Sequence, residues 1–142
     1  MDKLMNMPKY YEIAEGYACY RPAGQVSLKE AIELVSRAIA FSRDHQIGKL
    51  LVDTTKLTGF GPPGTWARFR IARQLAFESR KLVTVVLIAR AEMIDPQRFG
   101  FSVASNLGMS GEIFSSEAEA VAWLMMPKIR RNFALCRLTE KG

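Results

Sequence analysis

Asp53, Arg68, Arg90, Glu92 and Asp95 are the residues of this chain whose types and spacing could do chemistry. Asp53 closes the short apolar run Leu50, Leu51, Val52. Arg68 follows a polar loop and falls within the apolar arc of the next helix. A guanidinium in such a place needs a carboxylate or an anion beside it. Two readings stay open: a polar clamp at a ligand pocket, or an Asp53–Arg68 pair that pins loop to helix. Arg90, Glu92 and Asp95 come just after a second apolar run, which places them at the same sheet edge as Asp53. Neighbouring carboxylates there could serve as general base; solvated loop charges and a helix cap are the other reading.

The loop over residues 54–64 is where a ligand is expected, because open α/β sheets meet their ligands at the carboxyl ends of strands. Thr54, Thr58, Gly59 and Phe60 belong to it. Trp66 and Phe69 follow in the helix and, with Phe60, are expected to line an apolar cavity carrying few polar groups.

Several chemistries are excluded by composition. His45 is the single histidine. It can build neither a histidine metal site nor a Ser-His-Asp triad, and an exposed place at a helix end is expected for it. Cys19 and Cys136 are far apart and make no disulfide framework or zinc motif; Cys19 is expected to pack as a small hydrophobe. Gly59, Gly61 and Gly64 lack the Gly-Lys-Ser/Thr ending of a phosphate loop. No catalytic constellation, metal or cofactor is expected.

The elements that must position these residues follow from periodicity. Residues 10–14 and 17–20 read as two strands joined at Glu15-Gly16. Ser27 with Glu30 forms a capping box and opens a helix running to about Asp44. Its stripe is Leu28, Ala31, Ile32, Val35, Ala38, Ile39 and Ser42, widened by Leu34 and Phe41. Gly48 is expected to end it in a left-handed cap. Residues 50–52 form a short, fully apolar strand. A second helix covers about 65–79, and residues 82–89 read as the strongest and central strand. Asp95-Pro96 opens a third helix to about Asn106. Residues 111–114 form the last strand, and Ser116 with Glu119 caps a fourth helix that Pro127 stops. The order β-β-α-β-α-β-α-β-α implies an α/β domain with a mixed, mostly parallel five-stranded sheet and four main helices.

The chain has 142 residues and a net charge of +6. It divides into an N-terminal segment 1–9, a domain 10–127 and a basic, apolar tail 128–142. The tail holds Lys128, Arg130, Arg131, Arg137 and Lys141, but also Ile129, Phe133, Leu135 and Leu138. Apolar residues among the charges argue for packing rather than for phosphate contact, so nucleic acid is not expected as a partner. Neither is a transmembrane segment, since residues 82–89 are far too short to cross a bilayer. Free thiols and the absence of a signal sequence imply the cytoplasm.

Taken together, LLVDTTKLTGF, Arg68-Phe69, VVLIARAEMIDPQRFG and SNLG followed by IFSSEAEAVAWL resemble the STAS (anti-sigma-factor antagonist) superfamily. The resemblance is closest to its SpoIIAA-like, STAS/SEC14-type branch of small bacterial proteins, and it covers residues 11–124. It implies a SpoIIAA-like fold and a binding or regulatory role without enzymatic activity. Sigma-regulating members carry a phosphorylatable serine at the start of the second helix. Here that turn reads Gly61-Pro62-Pro63-Gly64, so the phosphoswitch is missing. The first expectation is a module that binds a small apolar or amphipathic ligand, or a protein partner, at the strand ends and forms a homodimer. An enzyme using Asp53, Glu92 or Asp95 is the second. The third is a weak nucleic-acid or membrane-surface binder acting through the tail with Arg70, Arg73, Arg80 and Lys81.

Overall fold

The computed structural model describes residues 7–95, 107–108 and 110–126. Its elements are β1 (Tyr11–Ala14), β2 (Tyr17–Tyr20), β3 (Gly24–Gln25), α1 (Leu28–Asp44), β4 (Lys49–Asp53), β5 (Leu57–Thr58), α2 (Thr65–Ser79), β6 (Thr84–Ile88), a 3-10 turn (Ala91–Met93), β7 (Gly111–Phe114) and α3 (Glu117–Leu124). The fold is α/β, and the described residues contain these three α-helices. The helix expected over 95–106 lies outside them but for Asp95, as does the tail.

Five strands form one sheet in the order β1-β2-β4-β6-β7. β1 runs antiparallel to β2, and every other pairing is parallel. β4 is therefore the central strand. Residues 82–89 supply β6, which is interior but one place off centre, a correction to the reading from apolarity alone. A strand flanked by two others and covered on both faces is apolar whether or not it is the middle one. β3 and β5 add a small parallel pair outside the main sheet, which the sequence pattern does not announce.

Alternation along the strands sorts the core into two layers. Ala18, Tyr20, Leu50, Val52 and Val85 face α1 and α2, where they meet Val35, Ala38, Ile39, Ala72, Leu75 and Ala76. Cys19, Leu51, Val86 and Ile88 face α3 and meet Ala120, Trp123 and Leu124. Register keeps each layer in phase: Leu50 lies opposite Val85, and Leu51 opposite Val86. Leu50, Leu51 and Val52 are fully buried. Truncating Leu50 or Leu51 to alanine is a cavity-forming change of about 2–5 kcal/mol.

Helix ends explain where the elements stop. Ser27 Oγ accepts from the Glu30 N–H, and the Glu30 carboxylate accepts from the Ser27 N–H, both at 3.1 Å. Ser116 Oγ likewise accepts from the Glu119 N–H at 3.4 Å. The other end of α1 departs from expectation. The left-handed residue is Gln46, at φ +60°, not Gly48. His45 caps the helix by stacking on Phe41, ring centroids 4.0 Å apart, with Nδ1 2.9 Å from the Phe41 carbonyl. It is half-buried rather than exposed. Phe41 and Leu34 also prove to be core residues, Phe41 packing edge-on against Tyr11 at 4.9 Å. The width of the α1 stripe is thus used within the domain. Tyr11 is further fixed by its hydroxyl, 2.7 Å from Ser42 Oγ.

Candidate functional site

An apolar cavity of about 180 Å³ lies between the sheet and the N-terminal halves of α1 and α2. Its walls are Leu28, Ala31, Ile32 and Val35 from α1, and Ile71, Ala72 and Leu75 from α2. Val85, Leu87 and Ile113 form its floor on the sheet. The strand-end segments border it, with Thr54, Leu57, Phe60 and Pro63 on one side and Arg90 and Met93 on the other. Among the described residues, Thr54, Arg68 and Arg90 are its polar lining side chains, and no carboxylate lines it.

Local folding places each of these groups. The Thr54 N–H and hydroxyl both donate to the Ile88 carbonyl, at 2.9 and 2.8 Å, so the chain leaving β4 is stitched to the end of β6. The loop then returns through β5, where the Val26 N–H donates to the Thr58 carbonyl at 2.8 Å. Gly59 follows at φ +106°, and a Cβ there would stand 2.4 Å from the Val26 carbonyl oxygen. Only glycine fits this combination of left-handed backbone and close approach. The loop is thereby held over the start of α1, with Leu57 fully buried beneath it. Arg68, in the first turn of α2, donates from Nε to the Pro63 carbonyl at 2.9 Å. Arg90 Nη2 is 3.5 Å from the Leu57 carbonyl, and its Nε is 3.8 Å from Glu92 Oε1.

The Asp53–Arg68 pair does not form. Asp53 continues the alternation of Leu51 and so lies on the α3 face, whereas α2 carries Arg68 on the opposite face. Asp53 is held by Arg21 Nη1 at 3.1 Å on Oδ2, and by the Thr55 N–H and hydroxyl at 3.0 and 2.6 Å on Oδ1. Arg21 also pairs with Glu117 and donates to Cys19 Sγ at 3.7 Å. Burial pushes the Asp53 carboxyl up, but the Thr55 hydrogen bonds and the Arg21 charge outweigh it and hold the group below the usual carboxylate range. Burial likewise pushes the Cys19 thiol up, against the opposing pull of Arg21. This cluster is a structural tie between β2, β4 and α3.

Of the residues singled out from sequence, Thr54, Phe60, Arg68 and Arg90 come together at the cavity. Thr58 and Gly59 hold the loop without lining it. Trp66 is 77% exposed and stands outside the pocket, in edge contact with Phe69 at 6.4 Å. Phe69 is half-buried and also off the lining. Glu92 and Asp95 are not on the lining either, so the carboxylates proposed as a general base do not converge on the cavity. Among the described residues no group of His, Cys, Asp and Glu could hold a metal ion, and no helix is long and apolar enough to cross a membrane. Sequence reasoning missed Leu57, Met93 and Ile113 as lining, and Arg21 as the partner of Asp53. Only the face parity of β2 and β4 carries a signal for the last.

No family model, curated protein or solved structure matches this chain.

Proposed function

We propose that the chain is a STAS/SpoIIAA-like binding module, without enzymatic activity, that takes a small apolar or amphipathic ligand into the cavity under the β4–α2 loop. The observation that supports this reading is the cavity itself: about 180 Å³, with a lining that among the described residues is apolar but for Thr54, Arg68 and Arg90. A dry apolar space of about 150 Å³ is enough to admit a molecule the size of benzene, so the cavity suits one ring or a short alkyl chain. Its place at the strand ends is where α/β folds hold ligands. Prolines where sigma regulators carry a phosphorylatable serine disfavour partner switching by phosphorylation. A cytoplasmic homodimer belongs to the same reading.

Native mass spectrometry of the full chain, followed by thermal shift with short-chain alcohols and acids, tests the proposal. A ligand at a hundred times its Kd adds about 2.7 kcal/mol to stability. A melting temperature indifferent to every such compound, with no co-purified mass, sinks it. Light scattering tests the dimer.

A further inference from the structure

We propose that the ligand is a carboxylate monoanion whose short apolar body fills the cavity and whose head lies against Arg68 and Arg90. This rests on the cavity being a binding site and adds the charge and class of what it binds.

Two arginines share the lining of one apolar space, and no acid among the described residues lines it with them. Arg68 spends its Nε on the Pro63 carbonyl; its Nη1 and Nη2 meet no acceptor among the described residues. Arg90 makes one long contact to a backbone carbonyl, and its ion pair with Glu92 is loose, at 3.8 Å. The Glu92 side chain is 63% exposed, so solvent screens that pair strongly. The planar guanidinium fork matches a carboxylate through two parallel N–H···O bonds. The third polar group, the Thr54 hydroxyl, donates to the Ile88 carbonyl, so its oxygen offers lone pairs rather than a proton. Selection at this site is therefore by the two arginines. The apolar depth behind them then limits the length of the body that can follow the head.

The test titrates the full chain by calorimetry with hexanoate, octanoate and decanoate, and with octan-1-ol and octylamine as neutral and cationic matches of octanoate. Octanoate should bind about tenfold or more tightly than octan-1-ol, the advantage shrinking with added salt. Octylamine should not bind, and one chain length in the series should be best. Arg68→Gln and Arg90→Gln should each bring octanoate affinity down toward that of octan-1-ol measured on the same variant. Arg68→Lys, which keeps the charge but not the fork, should recover part of the preference for octanoate. If octan-1-ol binds wild-type protein as well as octanoate does, or if both Gln variants keep the preference, the anion proposal is overturned while the cavity reading stands. If no acid and no alcohol binds, the cavity reading fails as well.

Discussion

Arg21 Nη1 lies 3.1 Å from Asp53 Oδ2, joining the residue after β2 to the last residue of β4 on the face of the sheet that α3 covers. Arg68 is on the other face. A thermodynamic cycle separates the two arrangements. Arg21→Gln with Asp53→Asn should show coupling of about 0.5–1 kcal/mol, held to that range because the Arg21 side chain is 37% exposed. Arg68→Gln with Asp53→Asn should be additive within about 0.5 kcal/mol. Chemical denaturation of the three single and two double variants provides the comparison.

The same carboxylate sets a pH dependence. Its folded pKa is depressed, so its contribution to stability is complete above the unfolded value of about 3.9 and is lost as pH falls through the lower folded value. Unfolding free energy followed downward from pH 6 should decline over that acid range. Asp53→Asn should show a shallower decline. Parallel curves for the two proteins would mean that Asp53 gains nothing from Arg21 and Thr55.

Ala72 lines the cavity from α2 and is almost fully buried. Ala72→Leu should push its new atoms into that space. Uptake of short alkyl compounds should disappear, while stability changes by less than the roughly 1–3 kcal/mol typical of forced overpacking. A large loss of stability would mean that the space is already filled when the protein is empty of ligand.

Cys19 is buried, and its thiol is held above its ordinary pKa. Thiolate is the reactive form. In a Cys136→Ser background, Cys19 should therefore resist iodoacetamide in native buffer and label fully in denaturant. Rapid native labelling would place the thiol in an open environment.

Gly59→Ala should be strongly destabilising for a single methyl group. Both the left-handed φ of +106° and the 2.4 Å approach to the Val26 carbonyl oppose it. Gly61→Ala, where a Cβ meets nothing within 4 Å, should cost well under 1 kcal/mol. Equal melting temperatures for the two variants would contradict the loop geometry.

Much of the chain is legible before folding because its signals are local. The Ser27–Glu30 box, the Glu15-Gly16 turn and the span of α2 depend on neighbours a few residues apart. The partner of Asp53 was not legible, since it depends on which face each helix covers, and that is settled only by the assembled layers. Trp66 misleads for a related reason. Its bulk suggests a cavity wall, yet α2 packs through Ala72, Leu75, Ala76 and Ser79, leaving that ring 77% exposed, as it leaves Phe77 72% exposed. The small residues on the packed side let the helix approach the sheet, and the large ones then fall outside.

The β3–β5 pair has a kinetic consequence. Thr58 and Gly24 meet although 34 positions separate them, with all of α1 and β4 between. Two short strands cannot repay such a loop closure until the enclosed elements are in place. The pair should therefore zip last during folding and be the first part to release in the native state. Its amides should exchange with deuterium far sooner than those of β4 and β6. Because the segment over the cavity hangs from this pair, the proposed ligand should enter and leave at the tempo of its brief releases, however tightly the interior holds it.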